Sequence, residues 1–162
     1  IFVDGGFFDL QMRSADWEII KQNFTPPNML GTPRAQMREW MQTSHPDWSD
    51  EGIEAQLGNF EMLADGTVRP WLSLDRHLKI LRAMWEQQPK ALFPLVKEPV
   101  LMAIAGENGE DEMKDVMVAA AANGLSDVRV EWFEKTAHDI HVHRPEKLAA
   151  LFLEWLEHIS EQ

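Results

Sequence analysis

The feature that most constrains the fold is the run Pro99-Val100-Leu101-Met102-Ala103-Ile104-Ala105, apolar throughout and closed by Gly106. Unbroken apolarity at strand length suits a strand covered on both faces, as in a parallel sheet, and not a half-exposed antiparallel one. Glu112 to Ala122 then reads as a helix that stops at Asn123-Gly124, a C-terminal signal. Val128 to Phe133 predicts a second strand. Pro145 to Ile159 predicts a closing amphipathic helix with Leu148, Leu151, Phe152, Trp155, Leu156 and Ile159 inward. Strand, helix, strand, loop and helix compose a right-handed crossover unit of a parallel sheet. Ile1-Phe2-Val3 predicts a third strand. Three strands are too few for a doubly covered sheet, so the expectation is that the chain is part of something longer, with Ile1 already inside a strand.

Composition limits the partners. The 162 residues carry 27 acidic and 15 basic side chains, a formal net charge of −12. Such a balance argues against nucleic acid and anionic membrane surfaces. No apolar run approaches the roughly 18 residues of a membrane-spanning helix, and a cytoplasmic protein is expected. Cysteine is absent, which removes disulfides, thiolate metal ligands and cysteine nucleophiles together.

Residues 10–90 predict a helical subdomain. Thr32-Pro33 reads as a helix start, with Met37, Trp40 and Met41 on one face and His45-Pro46 closing it. Ser49-Asp50-Glu51 predicts a second start, followed by the stripe Ile53, Leu57 and Phe60. Ser73 opens a third helix with Leu74, His77, Leu78, Leu81 and Trp85 along it, ending before Pro89. The Met and Trp stripes are read chiefly as core, with a few side chains lining a pocket for a small apolar substrate.

Ligands of open parallel sheets sit beyond the carboxyl ends of the strands. Three segments end strands here: Asp4-Gly5-Gly6, Gly106 to Asp111, and Thr136 to His143. His138 stands out, held in a loop between a strand and a proline-started helix, where a general base would be anchored yet accessible. A carboxylate from a neighbouring strand end would fix its tautomer; the alternative is a histidine satisfying a loop hydrogen bond. A competing constellation groups His138, His141 and His143 with Asp139 as zinc or iron ligands. No matching motif stands elsewhere in the chain, and no metal or organic cofactor is expected.

These segments resemble a family. Lys97 to Gly106 is similar to the penultimate strand of α/β-hydrolase fold enzymes, and His138-Asp139-Ile140-His141-Val142-His143-Arg144-Pro145-Glu146 to their closing histidine segment. Ile1 to Gly6 resembles the strand that follows the nucleophile-bearing helix. The resemblance implies the C-terminal part of such a fold: residues 1–9 and 91–162 in the parallel core, and 10–90 an inserted helical cap. It further implies hydrolysis of an ester or a similar acyl or carbon–heteroatom bond, with His138 as general base.

No Gly-x-Ser-x-Gly elbow is present, since Ser14, Ser44, Ser49, Ser73, Ser126 and Ser160 all lack the flanking glycines. The nucleophile is therefore expected upstream of Ile1, and the chain alone is expected to be silent. The acid is Asp4 or Asp111: Gly109 stands where many members carry the aspartate, and Asp4 is favoured slightly because two glycines follow it at a strand end. Glu107, Glu110 and Glu112 read as a solvated acidic face. A non-catalytic binding module of the same fold is the alternative. A homodimer, or pairing with the missing half, would cover the exposed sheet.

Overall fold

In the computed structural model, which describes residues 1–106 and 112–161, the chain from residue 1 runs through β1 (Phe2–Val3), α1 (Leu10–Arg13), α2 (Trp17–Phe24), β2 (Thr32–Pro33), α3 (Arg34–Ser44), α4 (Asp50–Leu57), β3 (Phe60–Met62), β4 (Thr67–Pro70), α5 (Leu74–Glu86) and α6 (Pro89–Leu92). It continues through β5 (Val100–Gly106), α7 (Glu112–Gly124), β6 (Val128–Glu134), α8 (Ile140–His143) and α9 (Pro145–Ser160). The apolar run is β5, the central strand of a parallel sheet in the order β1-β5-β6.

The period-two alternation of a strand sends β5 side chains to two separate cores. Val100, Met102 and Ile104 pack with Phe93 and with Met117, Val118 and Ala121 of α7. Leu101, Ala103 and Ala105 face the other way, onto Leu148, Leu151 and Trp155 of α9, together with Phe133 and Ile140. Met102 and Ile104 are fully buried, and burial of a side chain that size contributes about 1.5–3 kcal/mol. One helix on each face is what the absence of a polar position in β5 requires. Leu156, expected inward on α9, is 51% exposed; the face that packs is narrower than the apolar pattern.

The ladder extends past the end of β6. The Thr136 N–H donates to the Gly106 carbonyl at 3.1 Å, and its hydroxyl donates to the Glu134 carbonyl at 3.0 Å. Thr136 is buried, so the loop leaves the sheet edge from a fixed point.

The segment between β1 and β5 departs from a purely helical reading. It contains a three-stranded antiparallel sheet in the order β2-β4-β3. Thr32 does not cap a helix; it pairs with Val68, and α3 begins at Arg34 without a side-chain cap. Phe60 lies in β3, because α4 ends at Leu57. Asp65-Gly66 turns the chain between β3 and β4: Gly66 has φ +81°, and Asp65 accepts from the Thr67 N–H and hydroxyl. The expected starts of α4 and α5 are present. Ser49 accepts from the Gly52 N–H at 3.0 Å, and Ser73 immediately precedes α5.

The helices of this segment form two cores. One joins Met37, Met41, Trp48, Ile53, Leu57 and Val68 to Val142 of α8. The other joins Leu10, Ile20 and Leu81, with Trp17 and Trp85 alongside. Val142 ties the segment to the loop that carries His138.

Candidate functional site

Asp4 occupies the turn that ends β1. Its N–H donates to the Ala103 carbonyl at 2.8 Å, as the last rung of the β1–β5 ladder. Its φ of +40° then takes the backbone out of the strand direction, a left-handed conformation that aspartate tolerates better than most residues. Gly6, with φ +77°, completes the turn where a Cβ would lie 3.0 Å from the Phe2 ring. The Asp4 side chain folds back over β5. It is 1% exposed, and Oδ1 accepts the Ala105 N–H at 3.0 Å.

His138 approaches the same carboxylate from the loop after β6. Its Nδ1 lies 2.7 Å from Asp4 Oδ2. Because an ionised carboxylate only accepts, Nδ1 carries the ring proton and Nε2 is the bare, accepting nitrogen of the neutral ring. The side chain is 69% exposed, so one edge of the imidazole is held by a buried anion while the ring is otherwise accessible. The hydrogen bond to Asp4 raises the affinity of His138 for a second proton above the ordinary imidazole range. Burial opposes this, the charges of Asp4 and Asp139 add to it, and that of Lys114 works against it. Burial likewise favours the protonated form of Asp4. The hydrogen bonds from His138, Lys114 and Ala105, with the Lys114 charge, outweigh it and hold the carboxyl below its usual range.

The loop itself is built by histidine chemistry of another kind. His143 is buried, and its Nδ1 accepts the Ala137 N–H at 3.0 Å. Its Nε2 therefore carries the proton and lies 2.6 Å from Asp47 Oδ2. Asp139 accepts from Gln56 of α4 at 3.2 Å. The Asp139 carbonyl accepts the N–H groups of Val142 and His143, closing the short helix α8.

The three histidines thus go separate ways: His138 to Asp4, His143 to Ala137 and Asp47, and His141 to the exposed side of α8. They do not converge, and among the described residues no group of three metal-ligating side chains comes together. Of the two carboxylates considered for partnering His138, Asp4 meets it; Asp111 lies outside the described residues, as do Glu107 and Glu110. Two participants escaped the sequence reading. Lys114 touches Asp4 Oδ1 at 2.7 Å, and as a single lysine in a helix it carries no local signal. Asp47 precedes Trp48 in a short connection and has none either. No described helix is long and apolar enough to cross a membrane.

No protein-family model and no curated protein matches the chain. Among solved structures, an E-2-(acetamidomethylene)succinate hydrolase superposes on 86% of this chain with a TM-score of 0.69 at 13% identity. A marine microorganism esterase aligns with 94% of it at 16% identity and a TM-score of 0.43. The chain spans 51% and 57% of the lengths of these two proteins. The parallel order β1-β5-β6, the helices on both of its faces and the first of these superpositions agree, and the chain has an α/β-hydrolase fold.

Proposed function

We propose that this chain supplies the base and the orienting acid of a hydrolase that cleaves an ester or a related acyl or carbon–heteroatom bond. The observation that carries the proposal is the 2.7 Å contact between buried Asp4 and exposed His138 across the carboxyl ends of parallel strands. Asp4 fixes the tautomer, and His138 Nε2 accepts the proton of an attacking hydroxyl and later returns it to the leaving group. The nucleophile comes from residues outside these 162, since no serine here stands in an elbow motif. Residues 10–90 serve as a cap over a small apolar substrate. The contacts of Gln56 with Asp139 and of Asp47 with His143 support this, because they seat the segment on the His138 loop.

The test is hydrolysis of p-nitrophenyl esters by the product of the full reading frame and by the 162-residue chain alone. The full product is expected to turn over and the chain alone to be silent. His138→Ala is expected to lower kcat at least about 10³-fold, and Asp4→Asn roughly 10²–10⁴-fold. Unchanged activity in His138→Ala removes the assigned role. A full product that binds such esters without cleaving them favours a binding module of the same fold.

A further inference from the structure

The Asp4 carboxylate is shared between two side chains from opposite sides. Oδ2 faces His138 Nδ1, and Oδ1 faces Lys114 Nζ, each at 2.7 Å. Lys114 rises from the first turn of α7, and its ammonium also donates to the Ala105 carbonyl. Its side chain is 14% exposed, so its charge acts where water screens poorly. The Ala105 N–H holds Oδ1 independently at 3.0 Å, which leaves the carboxylate aimed at His138 even without the lysine. The contribution that belongs to Lys114 is its charge.

We propose that Lys114 is a positioning residue of the His138–Asp4 pair, taking up part of the Asp4 charge so that His138 stays a neutral base. The proposal rests on the catalytic reading of His138 given above. A buried carboxylate facing a histidine alone favours the imidazolium, and an imidazolium cannot take a proton from a nucleophile. Among the described residues the charged groups acting on His138 are Asp4 at the end of β1, Asp139 in its own loop and Lys114 on α7. The two aspartates favour the charged ring and Lys114 opposes it. A chain of cation, anion and imidazole lets a tightly held aspartate orient the base without locking it in the protonated form.

The test is an NMR titration of the His138 ring in the product of the full reading frame, without substrate. The wild-type midpoint is expected above the ordinary 6.5. Lys114→Met is expected to move it further up, and Lys114→Arg, which keeps the charge, to leave it near the wild-type position. Lys114→Gln keeps a donor for the Ala105 carbonyl and replaces the Met variant if that chain does not fold. A midpoint that stays in place or falls in the neutral variants overturns the proposal, as does an Arg variant that behaves like Met. No turnover is read, so these outcomes are independent of whether the full product cleaves esters.

Discussion

His143 Nε2 lies 2.6 Å from Asp47 Oδ2, which joins the last residue of α8 to the connection between α3 and α4. On its other side the same ring accepts the Ala137 N–H, one residue before His138. A single buried imidazole therefore sets the course of the loop that presents His138 and clips that loop to the segment before it. Ring orientation decides both contacts, since Nδ1 must be bare to accept from Ala137 and that orientation brings Nε2 close to Asp47.

Replacing His143 by Leu removes the acceptor for a part-buried N–H and leaves Asp47 with only the more distant Arg144 at 3.9 Å. Loss of a buried hydrogen bond of this kind costs about 1–3 kcal/mol. Urea unfolding of the variant is expected to show a lower midpoint with an unchanged slope. The His138 ring should also lose its single ordered environment, seen as broadened ring resonances.

Gly52 predicts a second sensitivity at the same junction. A Cβ there would lie 3.0 Å from the Val142 carbonyl oxygen and 3.1 Å from Val142 Cγ1. Ala is the better helix former by about 1 kcal/mol, yet overpacking against a backbone atom costs typically about 1–3 kcal/mol. Packing wins, and Gly52→Ala is expected to lower Tm by about 2–4 °C. A rise in Tm would mean that α8 yields to α4 at no cost.

The Asp4–His138 pair makes stability depend on pH in a defined window. Asp4 is lowered from its ordinary 3.8, so its contribution is present above that value and is lost as pH falls through the lower folded-state value. His138 is raised from 6.5, so its contribution is complete below 6.5 and is lost as pH rises through the higher folded-state value. Both are in force together between about 4 and 6.5. The stability gap between the wild type and Asp4→Asn is therefore expected to be widest near pH 5.5 and smaller near pH 9, measured by urea midpoints at each pH. Asn keeps the tolerance for a left-handed backbone at this position, so the comparison reads charge and not strain. A gap independent of pH would show that the pair is not ionised in the folded chain.

How far the fold can be read from sequence differs from element to element for physical reasons. β5 was legible because burial on both faces leaves no polar residue in it, and α4 because Ser49 supplies a cap whose hydroxyl does what its position implies. The small antiparallel sheet was not, because its strands span two to four residues, too few for alternation to register. Its one local sign is Asp65-Gly66, a common hairpin turn. Thr32-Pro33 misleads because proline's fixed φ serves an extended edge as well as a helix start. In the site, His138 was legible from its place after a strand and before a proline. Lys114 and Asp47 were not, since each acts through a partner brought near only by the fold.

The contact between Asp4 and His138 joins positions 134 residues apart, and β5 lies between the strands that carry them. Neither strand can form the pair by local folding; β5 must first accept β1 on one side and β6 on the other. Loop closure over such distances is entropically costly and slow. The pair therefore requires both the β1–β5 and the β5–β6 pairings to be in place, and the His138 resonance reports on both at once. A chain can hold native helices and still lack this signal, because helices form locally while the Asp4–His138 contact needs strands from both ends of the sequence.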